Sequence, residues 1–245
     1  MAKEGILIIA HGSGNKKWVQ FIEDVVRSIE SPHPIEIGYL ELVQGKSIAD
    51  GVKKLNHLAV EQIKVIPLFV CSGSTHLEEI QYALGLKEHS RIPTDLARIE
   101  SEAEITWLSP LDQHPFVLRI LEERVNQLAY FPENEHLLFV AHGSEVDGFH
   151  EEWETFLQGV CSHIQQKFSF LSTSYATLHP DNVREKAEAL SKTADLIIVP
   201  LFLSEGYFTT KLIPKKLMGI QYRYEGQTLL PHSLVRDWIE EGILA

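Results

Sequence analysis

The chain is poor in cysteine and methionine, with two of each in 245 residues. Two thiols, Cys71 and Cys161, cannot build a disulfide framework, and no C-x-x-C pair is present for a zinc ribbon. Basic residues are also scarce: 22 Lys+Arg stand against 34 Asp+Glu, a net charge of −12. That balance argues against a broad nucleic-acid-binding surface, so an anionic ligand would need a local basic pocket. Nowhere do 18 apolar residues run together, so no membrane span is expected. The apolar stretch before Gly12 is too short for a signal peptide. A cytoplasmic, soluble protein is the expectation.

What is present is a globular composition, 44% hydrophobic and 23% charged. Short runs rich in Ile, Val, Leu and Phe alternate with longer amphipathic stretches, the pattern of parallel strands and crossover helices. An α/β class follows. Strands are expected at Ile6–Ala10, Ile35–Leu40, Ile63–Val70, Ile105–Leu108, Leu137–Ala141, Phe170–Ala176, Leu196–Leu203 and Gln227–Leu230. Helices are expected over Lys17–Ile29, Ser47–Leu58 and Pro115–Leu128, the last with Val117, Leu118, Leu121, Val125 and Leu128 on one face.

The two sets of four strands read as copies. ILIIAHGS at Ile6 matches LLFVAHGS at Leu137, GYLEL at Gly38 matches SYATL at Ser174, and VIPLFVCSG at Val65 matches IVPLFLSEG at Ile198. WLSPL at Trp107 matches LLPHS, with Pro110 opposite Pro231. Four matches in order predict two homologous domains, 1–130 and 136–245, each a four-stranded, mainly parallel sheet flanked by helices and related by a pseudo-two-fold. About a dozen extra residues fall in the first half, around Leu86–Arg98. An internal pseudo-dimer of this kind leads us to expect a monomer.

Familiar nucleotide and hydrolase signals fail. Gly12-Ser13-Gly14 lacks the third glycine of a dinucleotide fingerprint, Gly45-Lys46-Ser47 lacks the first glycine of a P-loop, and no G-x-S-x-G elbow occurs. No nucleotide is expected. Ligands of open parallel sheets bind outside the carboxyl ends of the strands. There the first half places His11 after strand one, Glu41 after strand two and His76 beyond strand three. Two imidazoles and a carboxylate suit a divalent first-row ion and leave open coordination positions. In the second half His142 repeats His11, while Glu41 maps to Thr177 and His76 to Thr209, so that copy is expected to have lost its ligands and one metal is expected per chain. The other nine histidines, His179 among them, are read as surface or packing residues. Glu78 and Glu79 are read as the acidic first turn of a helix, or one of them as an outer-shell partner of the site.

These segments, HGS at His11, YLEL with Glu41 and VIPLFVCSGSTHLEEI with His76, resemble the class II chelatases that insert cobalt or ferrous iron into sirohydrochlorin. The second HGS and VPLFLSEG agree with the two-domain members of that family. The resemblance implies a chelatase acting in siroheme or cobalamin biosynthesis without ATP. It implies His11, His76 and Glu41 as metal-binding and proton-accepting residues, and Fe2+, Co2+ or Ni2+ as the divalent metal substrate. The other substrate would be sirohydrochlorin or a related tetrapyrrole rich in carboxylates. Ser13, Ser72, Gly73 and Ser74 would offer it donors, and His142 and Lys211, with Lys215 and Lys216, would reach it from the second half across a cleft. No nucleic acid or membrane partner is implied. The alternative is a carrier that binds metal or tetrapyrrole in the same cleft without inserting the ion.

Overall fold

The computed structural model describes residues 3–245. Two compact units divide the chain, one built from the residues up to Leu111 together with Arg236–Ala245, the other from Asp112–Val235. We call them unit 1 and unit 2.

Unit 1 is a parallel sheet of β1 (Glu4–Ala10), β2 (Ile35–Tyr39), β3 (Gln62–Pro67) and β4 (Glu104–Trp107) in the order β2-β1-β3-β4. The central strand β1 is the most apolar, and Ile6 to Ala10 are all fully buried, as a parallel strand covered on both faces demands. Its crossovers are α1 (Lys16–Arg27), α2 (Ile48–His57) and α3 (Thr75–Ala83). Asn15 caps α1 by accepting a bond from Lys17 N at 3.0 Å. Ser47 and Asp50 form a reciprocal capping box on α2. Leu7, Ile9, Val52, Leu55, Val65 and Ile80 pack into one core.

Unit 2 is a parallel sheet of β5 (Glu135–Gly143), β6 (Ser172–His179) and β7 (Asp195–Pro200) in the order β6-β5-β7. Its helices are α4 (Pro115–Leu128), α5 (Phe149–Phe168), α6 (Val183–Ser191) and α7 (Ile213–Lys216), the last preceded by a π-helical turn, Phe208–Leu212. Leu138, Val140, Ala176, Ile198, Ile213 and Leu217 form its core. Packing and sequence repeat divide the chain differently. α4 follows the fourth strand of the first repeat, yet it belongs to unit 2, where Glu122 accepts a 2.7 Å bond from His163 of α5. Most of the final helix, α8 (Ser233–Leu244), belongs to unit 1. There the Cα of Gly242 sits against Ile66 and Leu108, and Lys64 donates to the Ile243 carbonyl at 3.1 Å.

The expected α/β architecture of repeated parallel sheets is present, with one correction: the second sheet has three strands, and Gln227–Leu230 is not one of them. The fourth position is touched by a single parallel bridge between Arg223 and Ile197, after which the chain turns at Gly226 with φ +72°. Thr106 pairs with Lys64 as Arg223 pairs with Ile197. Leu111 N bonds Phe69 O as Leu229 N bonds Phe202 O, both at 3.0 Å. Lys64 and Ile197 occupy matching places in the repeat, as do Phe69 and Phe202. The hydrogen bonds therefore equate Thr106 with Arg223 and Leu111 with Leu229, and the match of Pro110 to Pro231 was a slipped register.

The extra segment Leu86–Arg98 adds no helix or strand. It is held by a buried carboxylate: Glu78, in α3, accepts from Lys87 Nζ at 2.5 Å, Arg91 Nε at 2.9 Å and Arg91 N at 2.9 Å. Burial pushes the Glu78 carboxyl up, but the bonds from Lys87 and Arg91 outweigh it and hold the group below its ordinary range. Arg98 lies 3.8 Å over the Tyr82 ring and donates to the carbonyls of Lys87 and Glu88. Glu78 lies in the first turn of α3, as expected, and there also anchors this segment.

Candidate metal-handling site

β1 and β2 end together. Ala10 pairs with Tyr39, and Glu41 N bonds the His11 carbonyl at 3.0 Å. The approach is possible because residue 12 is glycine. At φ +98°, a Cβ on Gly12 would lie 1.9 Å from the Glu41 carbonyl oxygen. The two backbones therefore carry the side chains of His11 and Glu41 out of the sheet side by side, with His11 Nε2 3.6 Å from Glu41 Oε1. His76 arrives from the first turn of α3, beyond β3, and its ring meets that of His11 edge-on, centroids 4.7 Å apart at 73°. All three side chains are partly open to solvent, at 39%, 52% and 40% of full exposure. That access is what an exchanging ion requires.

The triad is close but not closed. Among the described residues no group of three or more His, Cys, Asp or Glu side chains is set to grip an ion as it stands. A fourth group completes the arrangement: His76 Nδ1 lies 3.1 Å from Glu79 Oε2. A carboxylate on one ring nitrogen fixes the imidazole tautomer and leaves Nε2 as the donor. Glu79 takes the outer-shell role that the Glu78-Glu79 pair offered, and its spacing of three from a helical histidine is legible in the sequence.

Of the expected donors, Gly73 is buried with its N–H 3.2 Å from Cys71 Sγ, and Ser74 is the N-cap of α3 without a side-chain cap bond. Ser13 Oγ accepts from Asn15 N at 3.1 Å, which ties it to the start of α1, and Ser72 is exposed. Lys211 lies exposed in the π-helical turn of unit 2. Lys215 is exposed in α7, whereas Lys216 is paired with Asp181.

Unit 2 corrects the expected correspondence. Ala141 pairs with Thr177 and Gly143 with His179, so the counterpart of Tyr39 is Thr177 and that of Glu41 is His179. Gly143 repeats the role of Gly12: at φ +77°, a Cβ would fall 2.2 Å from the His179 carbonyl oxygen. The rings of His142 and His179 are 4.9 Å apart. Aligning Leu40 with Leu178, rather than Tyr39 with Tyr175, would have found His179. The counterpart of His76 by chain position, Thr209, is 1% exposed, and its hydroxyl is bound within the Gly206 turn. Phe208 stands against His142 instead, ring centroids 5.4 Å apart at 90°.

Fold and cluster together describe a duplicated parallel α/β protein with a half-exposed His, His and carboxylate group at the strand ends of its first unit. The chain matches the CbiX family twice, over residues 5–128 and 136–243, and belongs to that family. Sirohydrochlorin cobaltochelatases of Methanothermobacter thermautotrophicus and Methanopyrus kandleri are 28% identical over 132 residues and 24% identical over 136. Each alignment covers 50% of this chain and 91% or 94% of the relative, so those relatives have the length of one repeat. SirB from Bacillus subtilis, solved with Fe3+, superposes with a TM-score of 0.74 at 19% identity, covering 99% of this chain and 94% of SirB. The CbiX described as the terminal enzyme for biosynthesis of siroheme in denitrifying bacteria gives 0.66 at 19% identity, with 98% of each chain covered. These two likenesses show a shared fold.

Proposed function

We propose that the protein is a metal chelatase that inserts Fe2+ or Co2+ into sirohydrochlorin, in the siroheme or cobalamin branch, at the strand ends of unit 1. The observation that carries this reading is the pairing of His11 with both Glu41, at 3.6 Å, and the His76 ring, at 4.7 Å. Membership of the CbiX family and the names of the two curated relatives support it.

The ion is a substrate and has to be held loosely. His11 and His76 supply imidazole nitrogen and Glu41 supplies a carboxylate, a donor set suited to first-row divalent ions. Three protein donors leave positions for water and then for the macrocycle. The macrocycle must lose two N–H protons as the ion enters. Two of the groups His11, His76 and Glu41 take up these two protons as the ion leaves, so the two positive charges lost with the ion are replaced. Glu79 holds His76 through Nδ1. Within unit 1 the substrate's carboxylates are met by Ser13, Ser72 and Ser74. No nucleotide is consumed, and the activity is cytoplasmic.

Anaerobic incubation with sirohydrochlorin and each metal, followed by visible absorption, tests the proposal. A chelatase converts the spectrum to that of the metallated form faster than the blank. A carrier binds both partners and leaves the conversion rate at the blank value.

A further inference from the structure

Unit 2 carries an imidazole pair that the proposed insertion does not use for the ion. His142 and His179 stand at the ends of adjacent parallel strands, both exposed, with Gly143 paired to His179. Their rings are 4.9 Å apart and tilted by 38°, against 4.7 Å for His11 and His76. The loop that follows is built to hold His179 in place. Thr177 Oγ1 donates to the Pro180 carbonyl at 2.7 Å, Asn182 Oδ1 accepts from Thr177 N at 2.9 Å, and Leu178 bridges Asp181. On the other side Phe208 stands edge-on to His142 and stacks on Phe202 at 5.8 Å, so His142 has a rigid apolar wall.

We propose that His142 and His179 form a second divalent-metal site whose protein donors are imidazole nitrogens alone. Neighbouring parallel strands deliver two rings at the strand spacing of about 4.8 Å. An ion bound at 2.0–2.1 Å to each nitrogen needs those nitrogens roughly 3 Å apart, so binding requires both rings to turn a nitrogen toward the ion. With no carboxylate in the pair, the site takes ions that favour imidazole, Co2+, Ni2+, Cu2+ or Zn2+, and passes over Mg2+ and Mn2+. Thr209 adds no donor, because its hydroxyl is buried in the Gly206 turn. The site is weaker than a donor set that includes a carboxylate.

The test uses Co2+ alone, without tetrapyrrole, on the full chain carrying His11→Ala and His76→Ala. Paramagnetic broadening of histidine ring protons and calorimetric titration are the readouts. The expected result is one saturable Co2+ per chain, with the His142 and His179 signals broadened and excess Mg2+ without effect. Adding His142→Ala or His179→Asn should weaken binding by more than the ~10–100-fold that loss of a mere outer-shell partner costs. In the unsubstituted chain the same two ring signals should broaden after those of His11 and His76. The absence of saturable Co2+ binding in the first variant would overturn the site, as would binding that survives loss of both His142 and His179. Because no insertion is measured, failure here is distinguishable from failure of the proposed function.

Discussion

Beyond the carboxyl ends of its first three strands unit 1 presents His11, Glu41 and His76, whereas unit 2 presents His142, His179 and Phe208. The backbone frame beneath the two sets is the same. In both, a glycine with positive φ after the first histidine lets the neighbouring strand's carbonyl approach within the space a Cβ would need. Duplication has kept the scaffold that delivers side chains and changed which side chains are delivered. A mixed nitrogen and oxygen set suits capture and release of an ion with charge balance, while an all-nitrogen pair narrows the choice to ions that favour imidazole. Position is inherited through strand register, and chemistry is decided residue by residue.

The comparison breaks most visibly at the histidines of unit 1. His11→Ala and His76→Ala should each abolish insertion, a loss larger than the ~10–100-fold that an outer-shell partner costs. Circular dichroism should stay unchanged, since both side chains are about 40% exposed. Glu79→Gln removes the anchor of His76 without removing a ligand, and a fall of about 10–100-fold in rate is expected, partly restored in Glu79→Asp. His142→Ala should cost far less insertion than His11→Ala, with any loss appearing in KM for the tetrapyrrole.

Smaller effects separate the units by stability. Glu78→Ala removes the partner of Lys87 and Arg91 and should lower stability by about 1–3 kcal/mol, read as a shift in urea midpoint, with protease cleavage appearing first in Leu86–Arg98. The pH dependence should also differ. Burial holds the His136 imidazole below its ordinary value, with Ser172 Oγ at 2.7 Å and Thr193 Oγ1 at 2.8 Å. The folded state thus prefers it neutral, and this contribution falls as pH drops through the unfolded value of about 6.5. Glu78 is held below its ordinary range, so its contribution is intact above the unfolded value of about 4.3 and is lost as pH falls through the lower folded one. Acidification should loosen unit 2 before unit 1, observable as amide exchange along the chain from pH 7 to pH 4.

Much of this was legible in the residues. The β-branched and leucine-rich runs marked seven of the eight expected strands, and repeated HGS and PLF segments marked the duplication and brought His11, Glu41 and His76 to one end of a sheet. What escaped depended on register. Matching Tyr39 to Tyr175 by identity put Thr177 opposite Glu41, whereas the ladder puts His179 there. A slip of two residues preserves which face of a strand each side chain occupies, so alternation gave no warning. The fourth strand of unit 2 failed because one bridge at Arg223 replaces a ladder. The assignment of α4 to unit 2 and most of α8 to unit 1 is a matter of packing that amphipathic pattern cannot reveal, since a helix's apolar face does not name its partner.

The central claim is that the first unit inserts the metal and the second does not. Initial rates of Co2+ insertion into sirohydrochlorin, followed anaerobically by visible absorption, should be compared for two double variants, His11→Ala/His76→Ala and His142→Ala/His179→Ala. Blank-level conversion is expected for the first and clear turnover above the blank for the second. Turnover in the first with none in the second would contradict it and move the working site to unit 2.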